Sequence, residues 1–279
     1  MTTSKSYTPI RILIVGPNGK MGKAMIQIAA CYPNLSLVGG VGPKGCNYRG
    51  KDLGHIAGLG KPVGAIVHDS INGIIDSCDV VLECTNAGVS MKYLNTCISH
   101  NKALVSGTTG FSEEQKTSFK TAGKTIPVVL ASNTSKIAHI FFDVINYVTE
   151  KVGQKADIDI IEMHDRDKLD APSGTSKEIG RNIAAILGKK FDEFARYQRT
   201  GSGRRPKHTL DYTSIRSGNH NARHTVIFGF DNEQMELSIR GDNMLPYAEG
   251  MIEAALFISH QEPGFYTINQ VFAADNNHS

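Results

Sequence analysis

The chain has 279 residues, 40% of them hydrophobic and 20% charged, which is enough for a full core, fits two domains and is ordinary for a soluble enzyme. A formal net charge of +3 excludes the strongly basic footprint of a nucleic-acid or anionic-membrane binder. The five cysteines (Cys31, Cys46, Cys78, Cys84, Cys97) are odd in number and hold no CxxC pair, so they read as free thiols in a reducing, cytoplasmic compartment. The N-terminus lacks the apolar core of a signal peptide, and no stretch reaches the length of a membrane span.

In chain order, Arg11–Val15 is a short apolar run, the pattern of a parallel strand buried on both faces. A glycine-rich turn follows, then a helical pattern through Ala30 with Met21, Met25 and Ile28 on one face. Further strands are expected at Leu35–Val41, Ala65–His68, Val80–Glu83, Ala103–Ser106 and Val128–Ala131, with helices at Met91–Ser99 and Glu113–Ala122. This alternation predicts a parallel sheet covered by helices on both faces. After about residue 132 the rhythm changes. A long helix is expected at Ile137–Glu150, a strand at Asp157–Glu162 and a helix at Ser176–Leu187, started by a capping box of Thr175 and Glu178. Antiparallel strands are expected at Thr209–Arg216, His224–Phe230 and Gln234–Arg240, and a last helix at Tyr247–His260 packs back on the first domain. The predicted fold class is α/β: a parallel-sheet domain of residues 1–132 and 245–279, and a mixed-sheet α+β domain of residues 133–244.

The turn Gly16-Pro-Asn18-Gly19-Lys20-Met21-Gly22 joins the first strand to the first helix. Glycine there allows a tight turn, a close backbone approach to a pyrophosphate and close helix packing. The spacing is GxxGxxG rather than GxGxxG, so placement carries the dinucleotide reading. The second strand ends in Gly39-Gly-Val-Gly-Pro-Lys44, with no acid for a ribose 2′-OH; Lys44 and Lys20 suit a 2′-phosphate instead, so NADPH is expected over NADH. Thr85 in Glu83-Cys-Thr-Asn86, and Gly107, Thr108 and Thr109 in Gly107-Thr-Thr-Gly110, fall at carboxyl ends of strands, where ligands of this architecture bind.

Residues 162–175, Glu-Met-His-Asp-Arg-Asp-Lys-Leu-Asp-Ala-Pro-Ser-Gly-Thr, bring together two proton donors, His164 and Lys168, and a turn whose Ser173, Gly174 and Thr175 open a helix. The first turn of a helix offers unpaired N–H groups to an anion. The block therefore reads as a site that holds a carboxylate and protonates its neighbour, in the cleft between the domains. His220 and His224 have an i, i+4 spacing but no further ligand pattern, so no metal is expected and a structural or substrate-facing role is preferred. The basic run Arg199–His208 reads as a solvated loop, or as a collector of anions.

These segments resemble the dihydrodipicolinate reductase (4-hydroxy-tetrahydrodipicolinate reductase) family over almost the whole chain. The resemblance is carried by Val15–Gly22, Gly107-Thr-Thr-Gly-Phe111, Ala131-Ser132-Asn133 and Glu162-x-His164 through Lys168-x-Asp170-Ala-Pro-Ser-Gly-Thr175. It implies a Rossmann-like cofactor domain, a substrate domain that also builds a homotetramer, and hydride transfer from NAD(P)H to a cyclic unsaturated dicarboxylate in lysine and diaminopimelate biosynthesis. It also implies that His164 and Lys168 act at the protonation step, that Ser173, Gly174 and Thr175 hold a substrate carboxylate, and that Ala131, Ser132 and Asn133 line the cofactor site.

The substrate side departs from the family pattern. Asp165 stands where the family has a second histidine, Ala222-Arg223-His224-Thr225 replaces Gly-Glu-His-Thr, and Ile239–Met244 replaces His-x-Ala-x-x-Arg. Asn133-Thr-Ser-Lys136-Ile replaces Asn-Phe-Ser-x-Gly. A carboxylate about 4 Å from a bound dianion costs on the order of 1–4 kcal/mol. Asp165 therefore turns away, is compensated by Lys136, Arg223 or Arg240, or faces a less anionic substrate. Two alternatives stay open: a paralogous reductase of another cyclic imine or unsaturated acid, and a non-catalytic NADPH-binding regulator.

Overall fold

The computed structural model describes residues 8–219 and 222–275. In chain order the elements are β1 (Ile10–Val15), α1 (Lys20–Ala29), β2 (Leu35–Val41), α2 (Leu53–Ile56), β3 (Val67–His68), β4 (Val80–Glu83), α3 (Ala87–Ser99), β5 (Ala103–Ser106), α4 (Glu113–Ala122) and β6 (Pro127–Leu130). Then come α5 (Lys136–Val152), β7 (Asp157–His164), α6 (Gly174–Ile186), α7 (Phe191–Phe194), β8 (Ala195–Tyr197), β9 (Leu210–Arg216), β10 (Arg223–Gly229) and β11 (Gln234–Arg240). The described chain closes with α8 (Leu245–Ile258), β12 (Gly264–Tyr266) and α9 (Ile268–Asp275). It divides into two compact units, one running to Lys136 and resuming at Met244, the other Ile137–Asn243.

The first unit is a seven-stranded parallel sheet among the described residues, in the order β12-β6-β5-β4-β1-β2-β3. Its strands are apolar on both faces because both are covered. Ile12, Ile14, Val80 and Leu82 pack with α1 and α8 on one side, while Leu13, Val15 and Val81 pack with α3 and α4 on the other. The expected Ala65–His68 strand shortens to Val67–His68, because Ile66 pairs antiparallel with Asp52 instead. The strand order reverses between β1 and β4, so the carboxyl ends of those two strands flank the crevice where ligands bind in open α/β sheets.

The second unit is a five-stranded mixed sheet in the order β11-β10-β7-β9-β8, covered by α5 and α6. The strands expected to be antiparallel are so only in part: β10 runs antiparallel to β7 and β11, but β9 runs parallel to β7 and β8. Helix α6 lies so close to β9 that a Cβ at Gly180 would fall 1.8 Å from the Tyr212 hydroxyl, which itself donates to the Ser176 carbonyl at 3.1 Å. The start of α6 also corrects the sequence reading. Its N-cap is Ser173, whose hydroxyl accepts from the Ser176 N–H; Thr175 already lies inside the helix, so there is no Thr175–Glu178 capping box. Ser173 is extended (φ −63°, ψ 161°) directly after Pro172, which sets the cap two residues earlier than the S/T-x-x-E spacing indicated.

Candidate active site

In the first unit the site is built at the switch point. Gly16 leaves β1 with φ +73°, a conformation that favours glycine, and its N–H bonds the Val41 carbonyl at 2.9 Å. Gly22 is the second demanding position: a Cβ there would lie 2.2 Å from the Gly16 carbonyl oxygen and 2.8 Å from Pro17 Cα. The first turn of α1 therefore passes against the turn that precedes it, and Gly19 is its N-cap with no side chain to fill the space in front of the free N–H groups. Asn18, Gly19 and Lys20 are exposed at this mouth, Gly22 is buried beneath it, and Met21 packs inward on the core.

Beside it a cavity of about 610 Å³ is lined by Gly16, Gly42, Lys44, Asp69, Thr85 and Lys92, among others. It brings together Gly16, Lys44 and Thr85; Gly19, Gly22 and Lys20 do not line it. Asp69, held by Arg49 at 3.2 Å, is an acid on the same wall; it stands after β3 rather than at the end of the second strand, where the sequence has no acid. Thr109 is exposed at the end of β5, whereas Thr108 is buried and its hydroxyl points inward to Glu83. Ala131 and Asn133 are buried and Ser132 is exposed; the following Thr134 hydroxyl bonds the Tyr247 carbonyl at 2.6 Å and ties this segment to α8. The thiol of Cys84 is pushed up to about 12, by burial first and the charge of Glu83 second, so it is no nucleophile.

In the second unit the site grows out of the core. Successive residues of a strand alternate faces, so Ile158, Ile160, Glu162 and His164 share one face of β7. Leu210, Tyr212, Ser214 and Arg216 share the corresponding face of β9, and His224, Val226 and Phe228 that of β10. The registers pair His164 with Arg216, and Glu162 with both Ser214 and His224. The helix-covered face is thus apolar at one end and becomes a polar cluster at the other.

Glu162 is the centre of that cluster and is fully buried. Its carboxylate meets His164 Nδ1 at 2.5 Å and takes both arms of the Arg216 guanidinium, at 2.8 and 3.0 Å. Burial alone would raise its pKa, but hydrogen bonds from His164, Arg216 and Ser214 overcome that and hold it at about 2. Arg216 also donates to the Asp170 carbonyl at 2.5 Å, which ties the loop after β7 to the sheet. His224 is buried with its ring edge-on to His164, centroids 5.3 Å apart, and its Nε2 lies 3.2 Å from the Ser173 hydroxyl. Burial, and next the charge of His164, lower its pKa to about 4, so it is a neutral partner.

The residues expected at the substrate site therefore cluster, with changes in detail. The amine of Lys168 meets the Asp170 carboxylate at 2.7 Å. Asp165 accepts the N–H of Asp167 at 3.0 Å, so one of its oxygens caps its own loop. The Ser173 hydroxyl is engaged by Ser176 and His224, so what it can offer a ligand is the helix start it caps, with the Gly174 and Thr175 N–H groups. Arg216 and Ser214 were missed: both lie on a strand 50 or so residues away, and only the β7–β9 register, not any local spacing, brings them to Glu162. His224 is brought opposite Glu162 by the antiparallel β7–β10 register, while His220 lies outside the described residues. The basic run is more than a solvated loop, since Arg205 is largely buried and binds Asp159 at 2.7 and 2.8 Å and the Ile158 and Thr209 carbonyls.

Comparison with known proteins agrees with this geometry. Residues 10–134 match the family profile for the N-terminus of dihydrodipicolinate reductase and residues 138–272 that for its C-terminus. A 4-hydroxy-tetrahydrodipicolinate reductase of Hahella chejuensis (strain KCTC 2396) is 36% identical over 262 residues, 94% of this chain and 98% of that protein. Among solved structures, the fold resembles a dipicolinate-bound dihydrodipicolinate reductase from Paenisporosarcina sp. TG-14, with a TM-score of 0.70 at 21% identity over 93% of this chain and 97% of that one. It also resembles an amine dehydrogenase from Mycobacterium smegmatis, with a TM-score of 0.64 at 12% identity over 93% and 95% of the two chains.

Glycine cradle, switch-point crevice and sequence matches together define an NAD(P)H-dependent oxidoreductase. Within that class, the chain belongs to the dihydrodipicolinate reductase family.

Proposed function

We propose that this chain reduces 4-hydroxy-tetrahydrodipicolinate to tetrahydrodipicolinate in lysine and diaminopimelate biosynthesis, with NADPH as the preferred cofactor. The observation that carries the reading is the cluster of Glu162, His164 and Arg216, with Lys168 on the following loop, in a chain with a 36% identical reductase of that name. The bound nucleotide supplies a hydride. Gly16, Gly19 and Gly22, with Asn18, Lys20 and Met21 around them, hold its pyrophosphate at the start of α1; Lys44 faces the ribose and its 2′-phosphate; and Thr85, Gly107, Thr108, Thr109 and Ala131 through Asn133 shape the floor.

The substrate is a small carboxylated ring. The N–H groups of Gly174 and Thr175, on the cap that Ser173 makes, take one carboxylate. Lys168 stabilises charge as it develops and delivers the proton, exchanging Asp170 for the substrate, and His164 is oriented for this by Glu162. One oxygen of Asp165 accepts from its own loop, and its remaining charge is what the bound dianion has to tolerate. The protein acts in the cytoplasm as a homotetramer built on the mixed sheet. In support, edge strand β11 is exposed along most of its length, including Met235. No helix among the described residues is long and apolar enough to cross a membrane.

Following NADPH absorbance with freshly condensed pyruvate and aspartate semialdehyde tests the activity, and light scattering tests the assembly. Rapid loss of absorbance supports the reading; tight NADPH binding without turnover moves the substrate to another cyclic imine.

A further inference from the structure

The protonation scheme makes no use of Glu83, yet it is the most unusual group in the first unit. It ends β4 after Val80, Val81 and Leu82, and like them it is fully buried. No ion pair reaches it among the described residues; its partners are four hydroxyls. Ser90 and Ser106 bond one carboxylate oxygen, and Thr85 and Thr108 bond the other at 2.9 and 3.0 Å. Thr108 Oγ1 also accepts the Thr85 N–H at 2.8 Å. A carboxylate buried without a cation is costly, and a strand core is served better by another aliphatic residue. Its geometry shows what offsets the cost. Thr85 belongs to the loop after β4, Thr108 to the loop after β5 and Ser90 to the first turn of α3, so one carboxylate fastens three separate segments at the carboxyl edge of the sheet. Gly16 lies beside them, since a Cβ added there would sit 3.3 Å from the Thr85 methyl.

We propose that Glu83 is a positioning residue for the nicotinamide nucleotide, holding the Thr85 and Thr108 loops in the arrangement that receives it. This rests on the reading that NADPH lies across the carboxyl ends of β1, β4 and β5. Hydroxyls locked by a shared acceptor lose no further freedom when a ligand arrives, so the carboxylate contributes affinity without touching the ligand. Thr108 acts here as a latch, because both roles of its hydroxyl are taken inside the protein.

The test is a double-mutant cycle of Glu83→Gln and Thr108→Val. The NADPH dissociation constant is read from the nucleotide's own fluorescence, which is convenient in a chain with no Trp. A glutamine amide turns a donor toward one pair of hydroxyls and breaks that half of the latch. Each single change is expected to raise the dissociation constant about tenfold, and the pair to do no more than the worse single change, because both break one unit. Wild-type affinity in Glu83→Gln at a lowered melting temperature, or effects that multiply in the double variant, overturns the proposal. If Glu83→Gln fails to fold, Thr108→Val decides alone, and unchanged NADPH affinity in it counts against the latch. Failure of the unmodified protein to bind NADPH or NADH is a separate result, which removes the nucleotide reading and this inference with it.

Discussion

The imidazole of His164 is held 2.5 Å from the carboxylate of Glu162, two residues earlier on the same face of β7, and that carboxylate is in turn gripped by both arms of Arg216. His164 therefore cannot rotate freely, and the nitrogen left over, Nε2, faces away from Glu162. Replacing Glu162 by Gln is expected to lower kcat about 10- to 100-fold with little change in NADPH affinity, the scale of losing a partner that orients a functional histidine. It should also destabilise the fold by about 3–5 kcal/mol, because Arg216 is left buried without its anion. Turnover in the variant and its urea midpoint check both parts.

Lys168 behaves differently. Its pair with Asp170 is partly exposed, so Lys168→Met should cost only about 0–1 kcal/mol of stability. In the proposed role of Lys168 as proton donor, its loss should reduce kcat about 10²- to 10⁴-fold while NADPH titrates normally. Near-normal turnover in Lys168→Met would assign the proton to another group.

Acid sensitivity follows from two groups that bind fewer protons folded than unfolded. His224 falls from its ordinary 6.5 to about 4, so its contribution is complete above pH 6.5 and disappears as the pH drops toward 4. Glu162 falls from 4.5 to about 2, so its contribution is complete above pH 4.5 and is lost between 4.5 and 2. Denaturant midpoints should decline with acid in two stages, and His224→Gln should flatten the first. A flat midpoint between pH 6.5 and 4.5 in the unmodified protein speaks against a buried neutral His224.

The glycine turn offers a sharp contrast. Gly22→Ala places a methyl 2.2 Å from a backbone oxygen that has nowhere to move, and should cost about 1–3 kcal/mol and most of the NADPH affinity. At Gly19 the nearest atom to an added Cβ is 3.4 Å away and φ is −71°, so Gly19→Ala should fold normally. Denaturation curves and NADPH titrations of the two variants make the comparison.

Lys44 lines the cavity beside the glycine turn. Lys44→Glu should weaken NADPH about tenfold and leave NADH nearly unchanged, as expected for loss of a charge that meets only the 2′-phosphate. Equal losses for both nucleotides would place Lys44 elsewhere on the ligand.

Elements with strong period and local stop signals are legible in the sequence: β2, β4, β5, α4 and β11 run between the residues that patterning names. Those it overextended or missed are short or set by neighbours. β3 ends up two residues long because Ile66 is drawn into a bridge with Asp52, and β8 and β12 are three-residue edges with no alternation to read. The expected strand Asp157–Glu162 continues to His164, which puts the imidazole on the sheet rather than in the loop.

The amino-acid order alone determined the architecture and the chemistry on offer, because runs of buried β-branched residues, glycines between strand and helix and a proton-donor block are all local patterns. Tertiary structure alone decided the partners: that Arg216 and His224 converge on Glu162, that Ser173 rather than Thr175 caps α6, and that Thr108 turns inward to Glu83. These depend on strand register and on which buried donors lack an acceptor, quantities that exist only once distant segments are packed together.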